Sequence, residues 1–504
     1  MKRILLSLTL LLAFAATQLQ AQERYLDPSF DVQVTENVVY GENLEVLTGA
    51  PVLIDLVMDV YEPQGDTEER RPLVIMAHAG SFLPKGLNTL PFGNRRDSTN
   101  IEMCREFAAR GYVCASIDYR LGWNPLAPTQ EARAISIIQA TYRASQDMVT
   151  AVRYFAQDGA TDNTYRTDST RVIVAGNNSG GYMALTAAYL NRPEELELFK
   201  FLDSNGDPFV DTEFQGNMDG TGGNPAVHNY SNQGYSTDIH MVLNLGGAIG
   251  DLFWIDDTDE AALVSFQEVN NPLTPYGTAV VIVTSTGDPI IEVSGGGAIH
   301  PHITDENLGL NDALISATFD DPYTEGAQAA AMELGTPYQE GLYSITSPMF
   351  FYDPWAWYDP SDPNIDNTTP GASGSGSAAN PFNTPESARI YIDTVMGYFT
   401  PRACVQLGLP CGANFTSTKE VVQNADRLSV FPNPAGEQFW LTSKQADQLI
   451  QGFDLYNLHG QLISRVDGLN DQQVRIDVPH LSPGMYLVNV RFEDGIVPTK
   501  VMLR

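Results

Sequence analysis

Two patterns of apolar and polar positions divide the chain. Over residues 51–412, short apolar runs alternate with stretches of helical period, whereas after residue 427 the runs are short and alternating. Leu53 to Glu62, LIDLVMDVYE, alternates and stops at Pro63, as a half-buried strand does. Leu73 to His78, LVIMAH, is a continuous apolar run of the kind found in a sheet covered on both faces. Ile101 to Arg110 has helical period, Gly111 breaks it, and YVCASIDYRLGW follows as a strand. Gln139 to Gln157 carries Ala140, Ala144, Met148, Ala151, Val152 and Phe155 at helical spacing. Val172 to Leu185, VIVAGNNSGGYMAL, reads as a buried strand, a glycine-rich turn and a helix. Ile239 to Leu245, Ala261 to Phe266 and Ala313 to Phe319 add three strands, and Pro385 to Gly397 a closing helix. Strand and helix alternating in this order predict an α/β fold, a mostly parallel sheet with helices on both faces.

After residue 427, RLSVFPN, FDLYNLHG, QLISRV, VRIDVP and GMYLVNVRF are spaced as in an antiparallel sandwich. A length of 504 residues calls for two or three domains. The expected division is a signal peptide at 1–21, an N-terminal segment at 22–50, the α/β domain at 51–412, a linker at 413–426 and the sandwich at 427–504. Lys2 and Arg3, then ILLSLTLLLAFAA, then Ala21 form the signal pattern, which predicts passage through the periplasm to the outside or the outer surface. No later run supplies the roughly 20 apolar residues of a membrane span. The net charge of -34 repels nucleic acid and anionic lipid, so neither is expected as a partner. Four cysteines fit an oxidising compartment. Three pairings are open; the two local ones, Cys104 with Cys114 and Cys404 with Cys411, are expected.

The chemistry centres on Gly176, Asn177, Asn178, Ser179 and Gly180. A G-x-S-x-G turn between strand and helix is the nucleophile elbow of α/β-hydrolases, and here asparagine stands in the serine's place. LVIMAH empties into HAGSF, where His78, Ala79 and Gly80 loosely fit a loop that supplies oxyanion donors. HAGSF, GYVCASIDYRLGW, TYRASQDMVTAVRYF and DSTRVIVAGNNSGGYMALTAA together resemble successive blocks of secreted carboxylesterase-type α/β-hydrolases over roughly Tyr40 to Gly412. The resemblance implies an α/β-hydrolase fold and a Ser-His-Asp triad. The family's His-Gly-x-x-Asp-Pro-x-x-Pro-Tyr stretch matches at Asn271, Pro272, Pro275 and Tyr276, with Gln267 replacing the histidine and Asn271 the acid. The base should follow the final core strand. Taken after Ala313 to Phe319, that place holds Asp320 and Asp321.

Asn178 has no ionisable group, and an Asp to Asn change at a triad acid costs about 10⁴ in turnover. The main expectation is therefore a degenerate hydrolase that acts as a surface or secreted binding protein for an ester or polymer, without a cofactor. The alternative is an active esterase in a register shifted by one, with Ser179 as nucleophile, Asp288 as acid and His300 or His302 as base. Its difficulty is that Asn177 then occupies a position that is normally small. A third possibility is glycoside hydrolysis by paired carboxylates drawn from Glu268, Asp320 and Asp321, against which a solvated acidic loop is the favoured reading in so acidic a chain.

Asp203, Asn205, Asp207 and Asp211 have alternating oxygen ligands but lack the glycine and glutamate of a calcium loop, so a surface insertion is the favoured reading and no metal is expected. Trp355 and Trp357 fit either an aromatic platform or the packing of a long loop, which is commoner. The end of the chain, with FPNPA, LYNLHGQL, LSPGMYLV and TKVMLR, resembles the type A C-terminal sorting domain of the type IX secretion system, which implies that machinery as a partner.

Overall fold

Successive side chains of a strand point to opposite faces, so a strand apolar at every position needs cover on both. In β3 (Arg71–Ala77), Leu73, Ile75 and Ala77 enter one apolar cluster and Val74 and Met76 another. This computed structural model describes residues 23–346, 353–357, 384–411 and 428–503, except 48, 86, 89–91, 272, 284, 433, 434, 437, 445–447, 458–461, 480, 483, 493 and 494. The signal segment, the linker and the glycine-serine stretch at 371–380 lie outside the described residues.

The main sheet has eight strands in the order β1 (Val32–Glu45), β2 (Val52–Pro63), β4 (Val113–Ile117), β3, β5 (Thr167–Asn177), β6 (Met241–Leu245), β8 (Ala262–Glu268) and β11 (Leu342–Ile345). β1, β2 and β4 pair antiparallel, and every pairing from β4 to β11 is parallel. Helices α1 (Ser98–Ala109) and α7 (Pro385–Gln406) cover one face through residues such as Phe107 and Phe399. α2 (Gln130–Ala160) and α3 (Ser179–Tyr189) cover the other through Met148, Phe155 and Met183. This is the α/β architecture that the alternating pattern predicts.

Three expectations change. β1 is paired along its length with β2, so the sheet begins within the 22–50 segment and not at residue 51. Ala313 to Phe319 is not a strand: α5 (Asp312–Ser316) occupies it, with Leu314 buried and Ile315 55% exposed, too one-sided for a place inside this sheet. The last sheet position belongs to β11, whose four residues are all buried. The closing helix also runs on to Gln406 and carries Cys404. Cys104 is joined to Cys114 and Cys404 to Cys411, the two local pairs.

The C-terminal module packs a three-stranded sheet, β12 (Leu428–Phe431), β13 (Gln438–Ser443) and β16 (Gln473–Asp477), against a four-stranded one. The latter contains β15 (Leu462–Asp471), β14 (Ile450–Asn457), β17 (Gly484–Phe492) and β18 (Gly495–Leu503). Phe439, Leu441, Leu455, Val488, Val490 and Val501 fill the space between. β13 and β18 are strands that the sequence pattern does not single out. Among the described residues no helix is long and apolar enough to cross a membrane.

One buried ion pair fixes α2 against the carboxyl end of β4. Arg120 donates its backbone N–H to Asp147 Oδ2 at 2.8 Å and its Nε–H to the same carboxylate at 2.9 Å. Their side chains are 1% and 0% exposed. Removing one partner of such a pair strands the other charge, so Asp147→Ala should lose about 3–5 kcal/mol in urea unfolding. A loss below about 1 kcal/mol would show that the pair does not hold the layers in register.

Candidate functional site

β5 ends at Asn177 and α3 begins at Ser179, leaving Asn178 alone at the apex of the turn, with φ 51° and ψ −111°. A non-glycine residue at positive φ is strained and persists only where its surroundings fix it. Asn178 N–H donates to Leu245 O at 2.8 Å, and its carbonyl accepts from Gly181 and Tyr182 N–H at 2.8 and 3.1 Å. A Cβ on Gly176 would stand 2.0 Å from Gly180 O, and one on Gly180 2.4 Å from Ala77 O. Only glycine fits at either place. The glycines two residues before and after the apex thus set the elbow's register on Asn178. Asn177 lies in the strand, and its Oδ1 accepts from Trp355 Nε1 at 2.8 Å.

Ser179 is 2% exposed, and its Oγ accepts from Ser81 N–H at 3.0 Å. That contact joins the HAGSF loop to the elbow and occupies one backbone donor of the kind an oxyanion would use. Tyr119 Oη lies 3.4 Å from Ser179 Oγ and donates to His78 O at 2.8 Å. Burial holds the Tyr119 hydroxyl far above its ordinary range, so it stays protonated. His78 stacks on Tyr119 with ring centroids 4.3 Å apart, and its Nδ1 faces Ala79 O at 2.5 Å. Burial lowers its pKa and keeps it neutral. Gly80, at φ 124°, turns the loop where a Cβ would strike Gly93 Cα at 2.8 Å.

Beyond the carboxyl ends of β5, β6 and β8 lies a buried polar group that the sequence reading only partly contains. Beside them is Asp353, 5% exposed, whose carboxyl the side chains of Asn178 and Asn177 favour in its charged form. A Cβ on Gly246 would lie 3.7 Å from the Trp355 ring, 3.9 Å from Thr274 Oγ1 and 4.0 Å from Asp353 Oδ1, so these groups converge on the end of β6. Glu268, 2% exposed, accepts from Asn271 Nδ2 at 2.6 Å. Burial first, then the neighbouring Asp353, raises the Glu268 carboxyl well above the usual range. Burial raises Asp353 too, against the lowering influence of the two asparagine side chains.

Asn271 is used by its own turn, with Oδ1 accepting from Leu273 N–H at 2.9 Å and Thr274 N–H at 3.3 Å. Gln267 braces the same turn, donating to Thr274 O and Pro275 O and accepting from Gly296 N–H at 3.2 Å.

The place after the final core strand is therefore Asp353, which follows β11, and not Asp320 or Asp321. Asp321 caps α6 (Pro322–Leu334), accepting from Tyr323 and Thr324 N–H at 2.9 and 2.8 Å, and Asp320 is exposed. Glu268 is partnered by Asp353, not by that pair. Asp353 could have been found as the first acidic residue after LYSI, had ALISATF not been taken for the last strand. The residues proposed to serve Ser179 do not meet it. Asp288 is in the turn between β9 (Thr278–Ile282) and β10 (Pro289–Gly295). His300, on α4 (Gly296–Asp305), lies against Gly341, and His302 Nε2 faces Ile255 O at 3.1 Å.

Trp355 and Trp357 are 0% and 2% exposed and pack their loop onto the body, so they form no platform. Asp203 accepts from Asn205 and Asp207 N–H within its own loop, and Asp211 from Glu213 N–H. Among the described residues no three His, Cys, Asp or Glu side chains are grouped to hold a metal ion.

Above the elbow opens a cavity of about 190 Å³. Asn178 and Ser179 are at its floor. α2 lines it with Ile137, Ile138 and Tyr142, and the β9–β10 hairpin lines it with Val281, Ile290 and Ile291. Gln130 and Arg133 of α2 hold the hairpin by donating to Ile290 O and Pro289 O, both at 3.2 Å. No Lys, Arg, His, Asp or Glu is among the cavity's described lining residues.

Residues 58–219 match the BD-FAE family and residues 429–504 the family of secretion system C-terminal sorting domains. No curated protein matches. Among solved structures, esterase 2 of Thermogutta terrifontis phosphoramylated by tabun is similar at 14% identity and a TM-score of 0.30, over 48% of this chain and 74% of that one. Its propionate-bound form gives 14%, 0.30, 49% and 75%, and its paraoxon-phosphorylated form 15%, 0.30, 50% and 76%. The chain joins an esterase-like α/β-hydrolase domain to a type IX C-terminal sorting domain. That tail marks a protein handled by the type IX machinery and secreted or attached to the cell surface.

A carboxyl group whose pKa is raised by folding keeps a proton that the unfolded chain releases. Stability then falls as pH rises from the ordinary glutamate range through the raised value. Replacing Glu268 by glutamine removes this cost. Melting curves should show Glu268→Gln gaining on the parent between about pH 5 and about pH 9, and a difference that stays constant with pH would contradict the assignment.

Proposed function

We propose that the protein is an exported binding protein on an esterase-like α/β-hydrolase fold, which takes up an uncharged, largely apolar molecule and does not hydrolyse it. The observation that carries this reading is Asn178 at the apex of an otherwise intact elbow, facing an open apolar cavity. A serine hydrolase needs a nucleophile, a base to take its proton and an acid to orient the base. At the three corresponding places this chain has an amide, a carboxylate and the turn of Asn271. The lining excludes charged ligands, since an unpaired ion in an apolar cavity is costly. The signal pattern and the sorting tail fit a route through the periplasm to the outside.

Ser179 favours a second reading, active hydrolysis, because its Oγ is beside a backbone donor at the cavity floor. Against that, its hydroxyl neighbour is a protonated tyrosine that already donates elsewhere. A fluorophosphonate probe decides between them. The purified protein should remain unlabelled under conditions that label a serine esterase completely, whereas labelling that Ser179→Ala abolishes would make it a hydrolase.

A further inference from the structure

The polar tips of the rings on the cavity wall are turned into the protein. Trp123 Nε1 donates to Ser81 O at 2.7 Å and Trp254 Nε1 to Glu195 O at 3.1 Å. Tyr142 Oη donates to Gly216 O at 2.8 Å and Tyr182 Oη to Leu273 O at 3.1 Å. These rings line the cavity, so they offer a ligand apolar surface while their donors stay with backbone carbonyls. A sugar or polyol entering here would give up hydrogen bonds to water and find few in return, which is penalised. A hydrocarbon meets no such cost.

The mouth continues the same chemistry outward. Leu87 and Ile282 belong to the lining and yet are 66% and 40% exposed. Val280, two residues before Ile282 and on the same face of β9, is exposed as well, and exposed Leu126 follows Pro125 of the lining. Single exposed apolar side chains are ordinary, but these adjoin one opening. A cavity of about 150 Å³ in another protein holds benzene. By that measure about 190 Å³ holds roughly eight carbons.

We propose that the ligand is a neutral amphiphile with a linear hydrocarbon chain longer than the cavity, whose inner carbons fill it, whose outer carbons lie on Leu87 and Ile282, and whose polar end remains in water. The proposal rests on the binding reading above and names its ligand class. A neutral end is favoured because a carboxylate at the mouth is repelled by a chain of net charge -34. A compact ligand would fill the cavity and leave the apolar mouth in water, whereas each further carbon of a chain covers it.

Ligand-observed NMR titration of the full chain with 2-hexanone, 2-octanone and 2-decanone tests this, since these ketones carry no charge and no bond that a hydrolase cleaves. Affinity should rise at least about fivefold from 2-hexanone to 2-octanone, as carbons enter the cavity, and about threefold or more from 2-octanone to 2-decanone, as they cover the mouth. In the double variant Leu87→Ser and Ile282→Ser, the second gain should fall below about 1.5-fold. Parent affinities that level off at 2-octanone would overturn the proposal and leave the binding reading intact. A second gain that the double variant keeps would also overturn it, because the chain would then lie elsewhere. Binding of none of the three ketones would overturn the binding reading and this proposal together.

Discussion

Two close backbone contacts, Gly176 against Gly180 and Gly180 against Ala77, close the strand-to-helix turn so tightly that a single side chain is lifted above the sheet. Everything in the site follows from that geometry. The turn forces Asn178 to positive φ, projects it at the end of the central strand and sets α3 over the sheet. It also brings the HAGSF loop near enough for Ser81 N–H to reach Ser179. Strain of this kind persists where surroundings over-determine a conformation. The parallel pairing of β3, β5 and β6 does so here, with Gly176 in register with Ala77 on one side and Asn244 on the other.

The identity of the lifted residue and the groups behind it separate the architecture from its chemistry. In a Ser-His-Asp arrangement an imidazole takes a proton and the acid stabilises the cation that forms. In this chain a carboxylate meets the apex residue, and behind it is a second carboxyl group raised by burial and by its neighbour. Such a pair favours sharing one proton.

Much of the fold was legible because the main sheet is covered on both faces and its strands are apolar throughout, as LVIMAH and VIVAG show. The elbow register was legible too, because two glycines with no room for a Cβ leave a local mark. The remainder depended on long-range placement. ALISATF has the composition of a strand, but Ile315 faces outward and the segment forms a helix, while the shorter LYSI takes the last sheet position. Because of that exchange the expected third site fell on Asp320 and Asp321, which follow ALISATF, and passed over Asp353, which follows LYSI. Asp353 itself is in an aromatic loop separated from Asn178 by about half of the domain's sequence, and no local pattern announces it. β1 was passed over for a related reason, since an edge strand exposes much of its surface and reads as polar.

We propose that the fold is a hydrolase scaffold in which the apex residue and its partner, not the pocket, have been exchanged. Release of nitrophenol from p-nitrophenyl butyrate, measured for the parent and for the triple variant Asn178→Ser, Asp353→His and Asn271→Asp, tests it most directly. The parent should release nitrophenol at the rate of buffer alone and the folded triple variant measurably faster. Release by the parent well above the buffer rate would contradict the account.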